Sequence, residues 1–286
     1  MTTDAANLGV CFYNDRLYYA INDPAAENRL ERIGALSFNF ELHSVISEPE
    51  SSHYDNVKSA FDELISDYAI GSARILTDAL SECWSILPKM VYDNSDERED
   101  HIGVLMQGIE RENIEVTWHR LSNADYRLLS LRRRNVVEAY QQLSSEIPTT
   151  ECVSDFELGD KWEGLHKKGG SYLLIGCLNN GISITSYLLG KLRASTYITY
   201  DDVYDLPYHW LQRSAHLSWL KGIHEDVYVF GHQAYFVVEA LQGFWDKSSR
   251  LQEIKDLKVI GVEADEETYG FELGCAFPAI VMALDK

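Results

Sequence analysis

One segment comes close to the residue types and spacing that bind nucleotide phosphates. Residues 176–183 read Gly-Cys-Leu-Asn-Asn-Gly-Ile-Ser, which nearly matches the phosphate-binding loop GxxxxGK[ST]. In that loop a lysine reaches the β- and γ-phosphates, but Ile182 stands at the lysine position here. The residues that follow alternate between apolar and polar, as in a strand, and do not open a helix. We therefore interpret the segment as a hairpin turn.

Histidines are the next candidates, because imidazole is a common metal ligand. His209 and His216 lie seven residues apart in one expected helix, and His224 and His232 follow. No cysteine or carboxylate completes a metal-ligand spacing with them. The sequence also has no GxSxG, HExxH or GxGxxG motif. These patterns predict no metal centre and no familiar catalytic constellation.

A basic run interrupts an otherwise acidic sequence. Arg132, Arg133 and Arg134 are consecutive in a chain whose formal net charge is -20. Such a run is typical of the solvated face of a helix, and it could also meet an acidic partner. The three arginines are therefore one candidate interaction surface.

A second candidate surface is a segment dense in aromatic residues, which are enriched at protein interfaces. Its aromatic residues are Tyr200, Tyr204, Tyr208, Trp210 and Trp219. The same density is typical of a buried core, so both interpretations stay open. We take Tyr204, Tyr208 and Trp210 as the interface candidates.

Composition narrows the class of protein. A chain of 286 residues with 45% hydrophobic residues is long enough for two lobes with cores of their own. The net charge of -20 disfavours nucleic acid and anionic lipid as partners and suits a basic protein. Five scattered cysteines without a CxxC pair indicate reduced thiols and a cytoplasmic location. We expect no signal peptide and no membrane-spanning segment.

The pattern of apolar residues and turns predicts two similar halves. In the first half we expect strands at 8–13, 16–22 and 33–42, a helix from Tyr54 that Gly71 stops, a strand at 73–79, an acidic loop at 93–100, strands within 101–131 and a helix at 132–145. In the second half we expect a turn at 166–170, strands at 172–177, 182–188 and 192–199, a helical stretch at 201–221, a strand at 227–230, a helix at 233–245, a strand at 257–262 and a helix at 270–284. The repeated order indicates a duplicated α/β domain. We place the first lobe at 1–150, with a small inserted subdomain around 80–120, and the second at 151–286.

Several segments resemble one superfamily. The helix at 132–145, Pro148 and the crossing segment 152–157 resemble actin-like ATPases, which have a ribonuclease-H-like fold. Together with 227–234 and 269–276, they are most similar to the actin-like proteins of type IV pilus assembly and their secretion-system relatives. Segments 86–93 and 199–204 resemble an uncharacterised bacterial family of degenerate actin-like proteins. The resemblance implies two lobes, each with a mixed sheet flanked by helices.

The resemblance also implies where a nucleotide would bind. In working members of the superfamily, two hairpins hold the phosphates of ATP and each hairpin carries an aspartate. In the first hairpin here, Cys11 stands at the aspartate position, two residues after Gly9. Asn14 and Asp15 form the turn that follows.

The second hairpin and the adenosine loop depart from the superfamily pattern as well. Gly176 replaces the second aspartate, and Leu178 stands where a glycine would let phosphate approach. The turn itself consists of Asn179, Asn180 and Gly181. The glycine-rich adenosine loop is represented by Gly231, His232 and Gln233. We therefore expect no ATP hydrolysis and no cofactor, while weak binding of ATP or ADP stays open.

Three functions remain in view. The preferred one is a catalytically silent actin-like protein that serves as a protein-interaction scaffold, with the cytoplasmic tail of a membrane protein as one kind of partner. The second is an ATPase or phosphotransferase with rewired ligands, using Asp15, Asn179 and Asn180. The third is a metabolite-sensing module with His232 and Gln233 at the mouth of a cleft between the lobes. The partner's identity and the oligomeric state stay open.

Overall fold

The structure is a computed structural model that describes residues 5–106, 108–166, 169–222, 224–245, 250–263 and 270–285. Its strands in chain order are β1 (Ala6–Tyr13), β2 (Arg16–Asn22), β3 (Leu30–Ser37), β4 (Ile70–Leu76), β5 (Glu82–Pro88), β6 (Ile114–Arg120), β7 (Tyr126–Arg133), β8 (Thr149–Val153), β9 (Tyr172–Leu178), β10 (Gly181–Leu188), β11 (Lys191–Thr199), β12 (Asp226–Gly231) and β13 (Arg250–Glu253). Its helices are α1 (Leu42–Ile46), α2 (Ser52–Ser66), α3 (Lys89–Asp93), α4 (Ser95–Met106), α5 (Arg134–Leu143), α6 (Leu158–His166), α7 (Leu206–His216), α8 (Ala234–Leu241), α9 (Leu257–Ile260) and α10 (Leu273–Leu284).

Two five-stranded sheets share one topology. The first has the strand order β3-β2-β1-β4-β8, and the second has the order β11-β10-β9-β12-β13. In each sheet the first three strands form an antiparallel meander, and the last two run parallel to the first strand. This repeated order confirms the predicted duplicated α/β fold with two mixed sheets flanked by helices.

The helix α10 packs against the first sheet, where it contacts β1, β2 and β4. The close approach needs Gly9 on β1, because a Cβ there would collide with the backbone of Ala279. Every residue from Cys275 to Leu284 is buried, so this apolar helix is covered on all sides. The division of the lobes at residue 150 stays a prediction.

A small three-stranded sheet, with the order β5-β7-β6, stands beside the first lobe. The helix α4 packs Ile102 and Met106 into a core that it shares with Leu87 and Leu129 of this sheet. Among the described residues, no helix is both long enough and apolar enough to cross a membrane.

The acidic segment at 93–100 is largely helical, which corrects the expected loop. The Oδ1 atom of Asn94 accepts hydrogen bonds from the backbone N–H groups of Asp96 (3.1 Å) and Glu97 (3.4 Å). Acidic residues in a first turn also interact favourably with the helix dipole. The charge run that suggested a loop therefore begins helix α4.

The strand expected at 257–262 is also wrong. Asp256 caps the short helix α9 by accepting a hydrogen bond from the N–H of Lys258 at 2.8 Å. Gly261 ends the helix with a φ of 89°, a conformation that glycine adopts without steric cost. The edge strand of the second sheet is β13 instead, and it pairs with β12.

Other boundaries shift by a few residues. Arg132 and Arg133 belong to β7, where they pair with β5 and β6, and the following helix starts at Arg134. Helix α2 ends at Ser66, whereas Gly71, expected to stop it, lies within β4. The third strand ends at Ser37, and Leu42, the last residue of the range expected for that strand, begins α1. Of the expected turn at 166–170, Lys167 and Lys168 lie outside the described residues, as does Tyr269 of the segment 269–276.

Candidate functional site

Five parallel strands of the two sheets end at a common cleft. Ligands of α/β proteins usually bind beyond the carboxyl ends of parallel strands. The residues that follow β1, β4, β8, β9 and β12 and line the cleft are Asn14, Thr77, Asp78, Asp155, Asn179, Asn180, His232 and Gln233. Two adjoining cavities, of about 190 Å³ and 240 Å³, share Leu178 and Asn179 as lining residues.

In the first hairpin, Cys11 faces away from the cleft. Its thiol is buried against α10 and donates a hydrogen bond to the backbone oxygen of Cys275 at 3.3 Å. Burial raises the pKa of the Cys11 thiol far above its usual range. The position at which the resemblance implies an aspartate therefore holds a core thiol.

The tip of the first hairpin is attached to the chain that follows β3. The backbone oxygen of Asn14 accepts from the N–H of Leu42 at 2.8 Å, and that of Asp15 accepts from Phe38 at 2.7 Å. Asn14 has a φ of 51°, as the tight turn requires, and lines the second cavity. Asp15 is exposed on the turn and lines neither cavity.

In the second hairpin, the space beside Gly176 is already filled. A Cβ added to Gly176 would lie 2.6 Å from Ser183 Oγ, 2.8 Å from Asp155 Oδ2 and 2.8 Å from Phe230 Cζ. The Oδ2 atom of Asp155 accepts a hydrogen bond from Ser183 Oγ at 2.6 Å. The carboxylate closest to this strand therefore comes from the crossing segment after β8 and not from the strand itself.

Asp155 is the site residue that the sequence analysis missed. It is buried at the end of the smaller cavity, and desolvation raises the pKa of its carboxyl to about 7. The hydrogen bond from Ser183 opposes that rise, while the nearby carboxylates of Glu82 and Asp78 add to it. Its place directly after a parallel strand was the available signal, because such positions meet at the ligand-binding edge of a sheet.

The tip of the second hairpin contacts the residue that precedes α1, across the cleft. Asn179 Nδ2 donates to Glu41 Oε1 at 3.4 Å, and the same carboxylate caps α1 through Ser44 N at 2.6 Å. The backbone oxygen of Asn180 accepts from the N–H of Tyr200 at 3.1 Å. Gly181 is required where β10 begins, because a Cβ there would lie 2.5 Å from the oxygen of Ile198.

The third nucleotide-site segment is a strand-to-helix turn between β12 and α8. Gly231 has a φ of 99°, and a Cβ there would approach the backbone oxygen of Cys177 to 2.7 Å. Gln233 has a φ of 58°, and both it and the half-buried His232 line the larger cavity. The turn therefore presents an imidazole and an amide to the larger cavity.

Solved structures share this architecture, although no protein-family model and no curated protein matches the chain. The chain is similar to the PilM–PilN type IV pilus biogenesis complex, with a TM-score of 0.67, 11% identity and 97% of each chain covered. The chain has the actin-like ATPase fold.

Two other solved structures support this identification of the fold. A Bacteroides thetaiotaomicron protein with an actin-like ATPase fold and unknown function aligns with a TM-score of 0.52 and 13% identity, over 91% of this chain and 97% of that one. The cytoplasmic domain of EpsL, an inner membrane component of the type II secretion system of Vibrio cholerae, aligns with a TM-score of 0.51 and 9% identity, over 90% of this chain and 92% of that one. At such identities the similarity concerns the fold alone.

The residues of the cleft do not fit the Mg²⁺·ATP of an actin-like ATPase. Among the described residues that line the two cavities there is no lysine or arginine, and the basic side chains there are the imidazoles of His43 and His232. The ionisable side chains there include five carboxylates, Glu41, Asp78, Asp155, Asp201 and Asp202. No group of three or more His, Cys, Asp or Glu residues in the described part of the chain is arranged to hold a metal ion.

A buried carboxylate, Glu82, connects three parts of the actin-like fold. It accepts hydrogen bonds from the hydroxyls of Thr77, Ser130 (3.1 Å) and Ser154 (2.7 Å), and from Trp84 Nε1 (2.7 Å). Thr77 directly follows strand β4 of the first sheet, Ser130 belongs to the small sheet, and Ser154 begins the crossing to the second lobe. Since a buried carboxylate must be satisfied by donors, this network holds the wall behind Asp155 in place.

The arginine run does not form one surface. Arg132 is buried, donates to the backbone oxygen of Cys152 at 2.9 Å and lies 3.5 Å from the carboxylate of Glu115. The side chain of Arg133 points to the opposite face of the sheet from that of Arg132, because successive side chains of a strand point to opposite faces. Arg133 and Arg134 are exposed, so the interaction candidate shrinks to these two residues.

The aromatic segment also divides. Trp210 is buried against Trp245, with ring centroids 5.2 Å apart, so it belongs to the core of the second lobe. Tyr204 and Tyr208 are exposed, because they lie on the other face of the same helical segment. The expectation of a surface is therefore corrected for Trp210 and stays a proposal for the two tyrosines.

Proposed function

We propose that this chain is an actin-like protein that does not hydrolyse ATP and serves as a cytoplasmic protein-interaction scaffold in a membrane-associated assembly. The observation that carries the proposal is the pair of altered hairpins. In the first hairpin, the thiol of Cys11 is buried in the core. In the second, Asp155 and Ser183 fill the space beside Gly176.

The electrostatics of the cleft support the absence of hydrolysis. Transfer of a phosphoryl group needs cations that neutralise charge developing on the phosphate oxygens. The cleft offers carboxylates, amides and two histidines, His43 and His232, but no lysine or arginine among its described lining residues. An ATP molecule without a bound metal would meet repulsion from Asp78 and, above about pH 7, from Asp155 as well.

The scaffold role draws on the kinds of protein that share the fold. The similar structure of PilM was solved in complex with PilN, and EpsL is described as an inner membrane component of a secretion system. A fold alone does not establish a function, so the role here is argued by analogy together with the altered site. The net charge of -20 points to a basic protein partner and away from nucleic acid.

A thermal-shift titration with ATP and ADP, each with and without Mg²⁺, tests the nucleotide half of the proposal. A ligand at about 100 times its dissociation constant adds about 2.7 kcal/mol of stability. We expect no shift in melting temperature beyond that of Mg²⁺ alone. A shift that needs both Mg²⁺ and ATP, together with release of phosphate from that ATP, would overturn the proposal and favour an ATPase whose ligands include Asp155.

The cavity itself favours a second candidate, a module that senses a small molecule. Its lining suits a neutral or cationic ligand, because aromatic walls at Phe12 and Tyr13 stand beside the carboxylates of Asp78 and Asp155. A thermal-shift screen of amines, amino acids and sugars tests this candidate. Stabilisation that Asp155→Asn abolishes would support sensing, and a screen without stabilisation would count against it.

A further inference from the structure

Two neighbouring helical segments of the second lobe present large apolar side chains to solvent. The exposed fractions are 74% for Tyr204, 67% for Tyr208, 57% for Leu211, 60% for Tyr235 and 41% for Phe236. We call these five residues the tyrosine face. Exposed apolar side chains that occur singly are ordinary, whereas a group of them is typical of an interaction site.

The spacing of these residues places them on one side of each segment. Tyr204 lies in the 3-10 turn Val203–Asp205 that leads directly into α7, so Tyr204, Tyr208 and Leu211 follow the four- and three-residue spacing of one helical face. Tyr235 and Phe236 lie in the first turn of α8. Because α8 packs against both the 3-10 turn and α7, the two groups lie on adjoining segments.

The core of the lobe does not need the tyrosine face. Helix α7 is anchored by Leu206 and Trp210, and α8 is anchored by Ala234, Val237 and Leu241. These anchors are buried with the second sheet in a single cluster. The exposed tyrosines therefore add little to folding and supply rigid aromatic surface, the type that dominates interface hot spots.

The charges around the tyrosine face indicate the chemistry of its partner. Asp201, Asp202, Asp205 and Glu239 are exposed next to it. Asp202 also caps the 3-10 turn by accepting from the N–H of Tyr204 at 3.0 Å. The cation of α7, Arg213, lies beyond Leu211, where it donates to the backbone oxygen of Tyr197 at 3.2 Å.

A second copy of this chain is a poor occupant. It would bring the same carboxylates against Asp201, Asp202 and Asp205, in a protein whose net charge is already -20. Like charges facing each other across an interface repel each other and weaken binding. A segment with apolar side chains between lysines or arginines matches both the aromatic surface and its acidic surroundings.

We infer that the tyrosine face docks a basic, apolar segment of another protein. Its aromatic rings contact the apolar side chains of that segment, and Asp201, Asp202 and Asp205 face its cations. This inference rests on the proposed scaffold function and names the partner's chemistry and the place where it binds.

A photo-crosslinking amino acid at position 208 of the full chain, expressed in its own host, tests the inference. A matched control carries it at position 126, an exposed tyrosine of the small sheet. We expect a crosslink from position 208 alone, to a segment of positive net charge. A crosslink to a second copy, to a neutral or acidic segment, or equally from position 126 would overturn the inference.

The crosslinked segment, made as a synthetic peptide, then serves as the probe for affinity. Combined Tyr204→Ser and Tyr208→Ser should weaken binding by at least about 10-fold, since hot-spot residues each contribute more than about 1 kcal/mol. Combined Asp201→Asn and Asp205→Asn should weaken binding and reduce its dependence on salt. The control pair Met90→Ser and Tyr126→Ser should bind as the unaltered chain does. Unchanged binding in the first two variants would overturn the inference.

Different experimental results would contradict this inference and the proposed function. If position 126 crosslinks a partner and position 208 does not, the scaffold proposal stands and the tyrosine face is wrong. If the protein releases phosphate from ATP in the presence of Mg²⁺ while position 208 still crosslinks a basic segment, the docking surface stands and the non-hydrolysing role fails.

Discussion

The carboxylate of Asp155 occupies the place that a side chain on Gly176 would need. Its Oδ2 atom lies 2.8 Å from the position of a Cβ on that glycine. The two residues come from different parts of the fold, because Asp155 follows the first lobe's strand β8 and Gly176 lies in the second lobe's strand β9. The cleft can therefore hold a carboxylate from one of these positions but not from both.

An aspartate at Gly176, where the resemblance to actin-like ATPases implies one, should for this reason damage the protein. Gly176→Asp places new atoms against Ser183, Asp155 and Phe230 and adds a charge beside a buried carboxyl. We expect a loss of about 3 kcal/mol or more in the free energy of unfolding, measured by denaturant titration. Gly103→Asp is the matched control, since nothing lies within 4 Å of a Cβ there. Equal stability of the two variants would show that the cleft has room for a second aspartate.

Two substitutions of Cys11 test whether this position of the first hairpin belongs to the core. Cys11→Ser keeps a small donor for the backbone oxygen of Cys275 and should cost about 1–2 kcal/mol. Cys11→Asp places a carboxylate against that oxygen inside the core and should cost at least about 3 kcal/mol more, or prevent folding. Circular dichroism and denaturant unfolding measure both. A folded Cys11→Asp variant that gains Mg²⁺-dependent binding of ATP would contradict our assignment of this position to the core.

The stability of the protein should depend on both acceptor oxygens of Glu82. Trp84 Nε1 and the hydroxyls of Thr77, Ser130 and Ser154 donate to its two oxygens, and a glutamine replaces one oxygen with a donor. Glu82→Gln should lower the free energy of unfolding by about 1–3 kcal/mol. Glu138→Gln, at an exposed position of α5, is the control and should change it by less than about 0.5 kcal/mol. Similar losses in both variants would argue against a stabilising role for the hydrogen-bond network of Glu82.

Stability should fall with rising pH in a window set by Asp155. Burial raises the pKa of its carboxyl to about 7, so between about pH 4 and pH 7 the folded chain keeps a proton that the unfolded chain has lost. The free energy of unfolding therefore decreases as pH rises through this window. Glu157 contributes in the same direction, since burial raises the pKa of its carboxyl to about 7 as well.

Melting temperatures at pH 5 and pH 8 measure this effect. Asp155→Asn removes the titrating group and keeps an oxygen that can accept from Ser183. We expect a smaller decrease between the two pH values for this variant than for the unaltered chain. Asp15→Asn, an exposed position on the first hairpin, should leave the decrease unchanged. An unchanged decrease in Asp155→Asn would mean that other groups account for the pH dependence.

Local patterns in the sequence predicted most of the fold. Alternating apolar residues and turn pairs such as Asn14-Asp15 and Asn179-Asn180 specify hairpins within a few residues, so both meanders and their repetition were predicted. Helix α4 and helix α9 were missed because their signals are capping interactions of Asn94 and Asp256 rather than apolar periodicity. Short helices with few buried residues leave little pattern to detect.

The sequence by itself determined which side chains the two hairpins and the β12–α8 turn lack, since the types at Cys11, Gly176 and His232 are plain in the chain. Only the tertiary structure decided what replaces them. Asp155 reaches Gly176 because the carboxyl ends of β8 and β9 meet at one cleft, and Tyr208 is exposed while Trp210 is buried because α7 packs one face against α8. Contacts between residues far apart in the chain depend on how sheets and helices pack, and no local pattern encodes them.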